Sequence, residues 1–510
     1  MQEEADRNRI KVDACRAMDH FDKSACRGLT PTQVSPTHHV WHGGRRVVLA
    51  TLLGGMALFR YGSWAWRCSP CRLCVSVTHG GREPAPRQRA LVAGQTGEAG
   101  MYGGFAQPEV KGWCPGLFAP MEAADGWLVR VRPQLGRLEA AQAFLLADVA
   151  QKQGNGRISL TNRASLQLRG FGANAARRFP DIAVAAGLGL PDAGMERRQA
   201  MLVSPLAGDD PTCAPDTVAC AESLRNALLG AKALSALPGK FGFAVDGGGL
   251  YACGLLQADI TLRAAGGGLW SVVCGGACSA PIPYPAAVRL AVDMAHAFVS
   301  THQSTRPQRD AALGARLFQL VGHTGYVPQP QTSLEQGAGG LVGALGHGLF
   351  ALSVPMGCMT ATMLHNCAHV AATQGDGILR LTPWHTLVLG GMVQPPKIAG
   401  MVADPTSALL RIWACSGAGA CAQAEGKTEE LARHLAPLLP VGASLHVSGC
   451  RKGCAHPSAA NFTLVAGEQG YGLVRNGTAT GCVEGLFATE QAVYKAFESF
   501  KHEGAVDAGL

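Results

Sequence analysis

The chain has 510 residues, 47% of them hydrophobic and 16% charged, with 66 glycines; that is ample material for a buried core and excludes a disordered or collagen-like chain. The net charge of +8 is uneven, since residues 1–100 hold 14 Lys and Arg against 8 Asp and Glu while residues 101–510 hold 30 against 28, and no globular face is left with the excess that gripping nucleic acid needs. The longest apolar stretch, Val47–Phe59, runs thirteen residues and includes two glycines, short of the roughly 20 of a membrane span and far from Met1 for a signal peptide, so a cytoplasmic protein without membrane contact is expected.

Residues 1–100 show neither helical nor strand periodicity outside that apolar stretch. Cys68, Cys71 and Cys74 form a C-x-x-C-x-x-C run with no fourth cysteine nearby. The segment reads as an extension, with a coherent pattern, and an alternative start codon, at Met101.

From there the chain repeats itself. GNGRISLTNRASLQLRG at 154–170 aligns with GDGILRLTPWHTLVLGG at 375–391, and GWLVRVRP at 126–133 with GLFALSVP at 348–355. Each copy predicts a strand, a helix (Arg137–Gln153; Met356–Gln374), a Gly-x-Gly turn and two short strands. Alternation in WLVRVR puts Arg130 and Arg132 on one face of their strand. A longer α/β stretch follows each copy. The first predicts a helix over Asp216–Leu237 and strands in KFGFAVDG, DITLRAA and LWSVVCG. The second predicts a helix over Lys427–Leu439 and strands in SLHVSG, NFTLVAG and YGLVRNG. Two homologous halves about a pseudo-twofold axis, with a ligand cleft between them, are expected.

Eighteen cysteines in a chain of this kind point to metal or redox chemistry before disulfides. Cys114, Cys220, Cys253, Cys367 and Cys482 are scattered and read as small buried hydrophobes. Cys415-x5-Cys421 and Cys450-x3-Cys454 are grouped, and the small SGAGA segment inside the first pair lets backbone N–H groups approach sulfur. Four such thiolates suit an iron–sulfur cluster; zinc, which favours tighter C-x2-4-C knuckles, and four unrelated buried thiols are the alternatives.

This arrangement resembles the sirohaem sulfite and nitrite reductases, in which cysteines so spaced hold a [4Fe–4S] cluster. LTNRASLQLRG is similar to that family's T-x-R-Q strand motif and LPGKFGFAV to its L-P-R-K-F-K segment; the resemblance puts Arg163 and Lys240 at the tetrapyrrole. The chain departs from the reductases at Ala164 and Gly242, where they carry Gln and a second Lys, and at Gln199, beside Arg197 and Arg198, where they carry Arg. GWCPGLFAPMEAADGWLVRVR, LVSPLAG and HVSGCRKGCAHP resemble the precorrin-3B synthase branch of the same family.

That resemblance implies an α+β fold of the duplicated nitrite/sulfite reductase kind. Residues 1–100 would be the extension, 101–175 and 326–400 ferredoxin-like half-domains, and 176–325 and 401–510 larger α/β domains, the last carrying the cluster cysteines Cys415, Cys421, Cys450 and Cys454. It implies an oxygenase that converts precorrin-3A with O2 and NADH-derived electrons, delivered by a reductase. One oxygen atom enters at C20 and the ring A acetate closes a γ-lactone, in aerobic cobalamin synthesis. The reductase alternative would bind sirohaem; a non-catalytic tetrapyrrole binder is the third reading. A ring edged with carboxylates needs guanidinium forks at its rim, for which Arg130, Arg132, Arg163, Arg169, Lys240, Arg451 and Lys452 are candidates. The family also implies a mononuclear non-haem iron. His365 and His369, four apart and hence on one helical face, could supply imidazoles to it, with His323, His347, His385 and His456 as further options. By the same analogy Cys454 would sit nearest the second iron or the substrate.

Overall fold

The structure is a computed structural model that describes residues 38–42, 45–52, 55–58, 114–253, 258–301, 305–328 and 341–507. The chain divides into two units, Met1–Gly94 and Gln95–Leu510. In the first, strands His38–His42, Arg45–Leu52 and Gly55–Leu58 form an antiparallel meander. Cys68, Cys71 and Cys74 lie outside the described residues.

The second unit is built from two similar halves. The first begins with β1 (Met121–Ala123), β2 (Gly126–Val131), β3 (Arg137–Glu139), α1 (Ala140–Gln153), β4 (Arg157–Leu160) and β5 (Leu166–Phe171). It continues through α2 (Ala173–Ala185), α3 (Ala193–Arg198), β6 (Met201–Val203), α4 (Thr217–Gly230), β7 (Phe243–Asp246), β8 (Ile260–Gly266), β9 (Leu269–Cys274) and β10 (Ala277–Ser279). It ends with α5 (Tyr284–Ser300), α6 (Ala311–Leu320) and β11 (Tyr326–Pro328). The second half runs β12 (Gly343–Gly346), β13 (Leu349–Ser353), β14 (Cys358–Thr360), α7 (Ala361–Gln374), β15 (Ile378–Leu381) and β16 (Thr386–Leu389). Then come β17 (Ile412–Ala414), α8 (Thr428–Leu435), β18 (Leu445–Ser448), β19 (Ala460–Gly467), β20 (Gly470–Gly477), β21 (Gly485–Phe487) and α9 (Glu490–Asp507).

Two five-stranded antiparallel sheets, in the orders β14-β4-β5-β2-β1 and β12-β13-β16-β15-β3, exchange one strand each. Cys358–Thr360 of the second half pairs with β4, and Arg137–Glu139 of the first half pairs with β15. The backbone repeats with the sequence. Ala140 N donates to Gly377 O and Ala361 N to Gly156 O, both at 2.8 Å, while Thr161 N to Ser165 O and Thr382 N to Thr386 O are both 2.9 Å. Helices α1 and α7 pack together through small side chains, Ala143, Ala147 and Ala150 against Leu364, Ala368 and Ala371, all buried in one core with both sheets.

Each half then adds a mixed sheet. Strands β6, β7 and β8 are parallel and continue antiparallel into β9, β10 and β11; β17, β18 and β19 are parallel and continue antiparallel into β20 and β21. Each has its own apolar core.

Arginines cross-link these parts. From the first antiparallel sheet, Arg157 pairs with Glu429 at 2.5 Å, and Arg169 donates to the Ala420 carbonyl at 2.7 Å. From the second, Arg380 pairs with Asp209 at 2.8 Å, and Arg137 with the same carboxylate at 2.6 Å. Each sheet therefore docks on the loop after the leading parallel strand of the opposite half. Among the described residues, no helix is long and apolar enough to cross a membrane.

Candidate functional site

The loop after β17 carries Cys415 and Cys421; the loop after β18 carries Cys450 and Cys454. Parallel neighbours release both loops at the same end of the sheet. Gly449 N donates to Cys415 Sγ at 3.2 Å, and Glu425 N to Gly449 O at 2.9 Å, which ties the loops together. Burial pushes the Cys450 and Cys454 thiols up, and the charges of Cys415 and Cys421 push both further, partly offset by Lys452. Cys450 and Cys454 thus lie within electrostatic reach of Cys415 and Cys421, whose charges oppose their ionisation, a conflict that a cationic centre removes. Among the described residues no three His, Cys, Asp or Glu side chains close on a single-ion site, the geometry zinc would require. A cubane takes one thiolate at each iron corner, so its ligands share a space and not a point. The donor set, the N–H to sulfur bond and the small loop residues fit a [4Fe–4S] cluster.

The first antiparallel sheet carries the second feature. Arg130 lies on β2 and Arg132 directly follows the strand's last residue, Val131, while Arg163 lies on the β4–β5 turn, where Thr161 Oγ1 accepts from the Arg163 and Ser165 amides at 3.3 Å. Arg130 is pushed down to about 10 by burial and by the neighbouring charges of Arg132 and Arg163. Arg132 is lowered by burial and Arg163, opposed by the carboxylate of Glu196. Gln167 Oε1 holds Arg130 Nη2 at 2.9 Å, but Arg130 Nε is buried without a partner. Arg163 Nη2 donates to the Lys240 carbonyl at 3.1 Å, which Arg306 also reaches at 2.5 Å. Guanidiniums crowded together with one carboxylate among them form a cationic cluster electrostatically poised for a polyanion.

The matching positions of the second half carry no such charge. The strand register is one residue off the alignment of GWLVRVRP with GLFALSVP: Ala351, Ser353 and Val388 stand where the first half has Arg130, Arg132 and Gln167, and Trp384, packed on Tyr251 at 5.4 Å, stands for Arg163.

Comparison with known proteins places these features. Residues 120–177 match the nitrite/sulfite reductase ferredoxin-like half domain. The chain is 31% identical over 418 residues to a precorrin-3B synthase of Sinorhizobium sp, an alignment covering 76% of this chain and 86% of that protein. The chain belongs to the precorrin-3B synthase family. It is also 24% identical to a ferredoxin–nitrite reductase of Synechococcus elongatus, over 69% of this chain and 78% of that one. The NirA protein of Mycobacterium tuberculosis shares the fold, with a TM-score of 0.51 and 18% identity over 74% of this chain and 84% of that one.

On this member of the precorrin-3B synthase family, the structure separates the rim candidates. Arg130, Arg132, Arg163 and the Lys240 backbone come together. Arg169 does not serve as a free rim cation: it is buried, gripping Asp125 with two bonds of 2.9 Å, because only that carboxylate offsets its desolvation. Arg451 bonds the Thr480 and Gly481 carbonyls at 2.9 Å, and exposed Lys452 lends its charge to Cys450 and Cys454.

The histidine expectation is corrected. His365 and His369 lie on the exposed face of α7, where His365 packs edge-on against Phe144 of α1, and no third donor joins them among the described residues. Helix α7 turns its small residues inward, so the face left for histidine is the outer one. His385 is half-buried and held down to about 4 by desolvation, and His456 stacks on Trp413 at 3.8 Å. Among the described residues these imidazoles do not converge with further donors on one site.

Three residues escaped the sequence reading. Cys114, expected as a buried hydrophobe, is half-buried and hydrogen-bonds Arg130. Cys482, expected buried, is exposed. Glu196 is buried, accepts from Leu190 N at 3.0 Å and Gln199 Nε2 at 2.5 Å, and is raised by desolvation. Its spacing to Arg132 in sequence gave no signal.

Proposed function

We propose that the chain is an O2-dependent precorrin-3B synthase. The observation that supports it most is the one-sided cationic cluster of Arg130, Arg132 and Arg163, carried by the strands and turn of the same sheet that Arg169 fastens to the cysteine loop. A tetrapyrrole edged with carboxylates and a one-electron centre would then lie side by side.

The chemistry divides among groups on the page. Cys415, Cys421, Cys450 and Cys454 would hold a [4Fe–4S] cluster, which when bound supplies electrons singly. Arg130, Arg132 and Arg163 bind and orient the ring by its carboxylates where charge is weakly screened. Gln167 fixes the Arg130 fork, and Glu196, the one carboxylate acting on Arg132, also faces Arg225, so the arginine cluster keeps a net positive charge for substrate. Cys114 sits beside Arg130 at the same edge. In the overall reaction one oxygen atom of O2 enters precorrin-3A at C20, the ring A acetate closes the γ-lactone, and the other oxygen leaves as water with two electrons from NADH through a reductase. A cytoplasmic setting suits reduced thiols and that electron supply. The residues expected to hold a mononuclear iron do not fit one, and no step is assigned to it.

Ala164 and Gly242, in place of the reductases' Gln and Lys, lower the positive charge and hydrogen-bonding that a small anion would need, which favours the oxygenase over a sirohaem-dependent reductase. Incubation with precorrin-3A, reductant and 18O2, followed by mass analysis, tests the proposal. One 18O in the product is expected. Unlabelled or unchanged substrate overturns it, and a strong Soret band with a red chlorin feature in the isolated protein would establish the reductase reading instead.

A further inference from the structure

Arg169 sits on β5, one strand from the cationic face, yet its guanidinium turns to the cysteine loop. Nε and Nη2 bind the two oxygens of Asp125, each at 2.9 Å, and Nη2 also reaches the carbonyl of Ala420, the residue before Cys421, at 2.7 Å. Both partners are nearly sealed, with side-chain exposures of 6% and 11%. Asn155 Nδ2 adds a 3.0 Å bond to the same Asp125 carboxylate, from the Gly-x-Gly turn. A loop made of Ser, Gly and Ala offers no side chain of its own to hold it, and a chain rich in glycine pays the largest entropy to stay in one conformation. Anchors therefore come from outside it: Thr428 Oγ1 bonds the Cys415 carbonyl at one end, and Arg169 holds the other end at Ala420, beside Cys421. Its planar fork grips both oxygens of Asp125 and the Ala420 carbonyl in one fixed geometry, which the point charge of an ammonium does not impose.

We propose that Arg169 and Asp125 are positioning residues of the cluster: they pin the 415–421 loop to the substrate-facing sheet and hold Cys421 in place for iron. This rests on the reading that the four cysteines carry a cluster. The second half contains an internal control. Arg380, with 2% side-chain exposure, is gripped by Asp209 and Asp376 and joins the other antiparallel sheet to the first half's corresponding loop, which has no grouped cysteines. Its loss is expected to damage the fold to a similar degree without touching the cluster.

The test is the rate at which full-length, anaerobically purified protein gives up iron to a ferrous chelator, followed by loss of visible absorbance, in Arg169→Gln, Asp125→Asn and Arg380→Gln. Removing an outer-shell partner of a metal ligand commonly weakens a site 10- to 100-fold, so about 10-fold faster release is expected for Arg169→Gln and Asp125→Asn. Arg380→Gln should release iron at the wild-type rate while its thermal midpoint falls. Asp125→Asn stands in if Arg169→Gln does not fold. Equal release in wild type and in both latch variants, or equal acceleration in Arg380→Gln, overturns the proposal. Wild-type protein without iron or sulfide would overturn the cluster reading beneath it, a distinct result.

Discussion

Ser204 occupies in the first half the place that Cys415 holds in the second. Gly247 N donates to Ser204 Oγ at 3.0 Å as Gly449 N donates to Cys415 Sγ at 3.2 Å, and Ser204 N meets Val245 O as Cys415 N meets Val447 O. The same turn therefore closes around oxygen or sulfur. Cys415→Ser should fold with a thermal midpoint close to that of cluster-free wild type, since the hydroxyl keeps the Gly449 bond. Iron and sulfide should be lost, because an alcohol does not ionise to a ligand at neutral pH. Full iron content in Cys415→Ser would remove it from the ligand set.

The arginine cluster carries a different expectation. Arg130, Arg132 and Arg163 repel one another in the empty site, so Arg163→Ala should leave the ligand-free protein no less stable in urea. Binding of a polycarboxylate porphyrin probe should weaken by about 10-fold or more, the worth of a charged hydrogen bond. The residual binding should also lose part of its salt dependence. Titration at two ionic strengths checks both, and unchanged affinity would take Arg163 out of the arginine cluster.

His385 gives a pH signature. Burial lowers it from 6.5 to about 4, so the unfolded chain binds its proton first as pH falls. Folding stability is then complete above pH 6.5 and declines between pH 6.5 and about 4, by up to ~3 kcal/mol from this one group. The backbone there is left-handed, with φ of 58°, a conformation that asparagine tolerates. His385→Asn should flatten the acid limb of stability against pH; an unchanged slope would assign that limb to other groups.

Asp209 accepts from both Arg137 and Arg380, the latter with 2% side-chain exposure. Taking away one member of such a network strands buried charge, so Asp209→Asn should cost about 3 kcal/mol in denaturant unfolding. A loss below 1 kcal/mol would mean that Asp376 alone satisfies Arg380.

The repeat was legible because its marks are local: Gly-x-Gly turns, apolar stripes and the alternation of WLVRVR. The grouped cysteines were legible for the same reason, since the spacing within each loop is short. Arg169 was misread because its partner is the carbonyl of Ala420, far along the chain, and a backbone acceptor leaves no side-chain signature. His365 and His369 were correctly put on one face, but periodicity does not say which face is outward; the packing of α1 decides that. Helix α2 was missed because Pro180 lies inside it, a residue that ordinarily ends helices. The exchanged strands, three residues each, pair across the halves and could not be read from either segment alone.

That exchange has a consequence for how the chain can be divided. A protease cut between residues 328 and 341 would sever the covalent link and yet release nothing, because each fragment has an edge strand woven into the other's sheet. Expressed separately, the pieces should be insoluble or self-associate, and should recover solubility only when produced together. Interlocking of this sort also lets the first half do without the grouped thiols and the second without the arginines: each remains the frame in which the other is held.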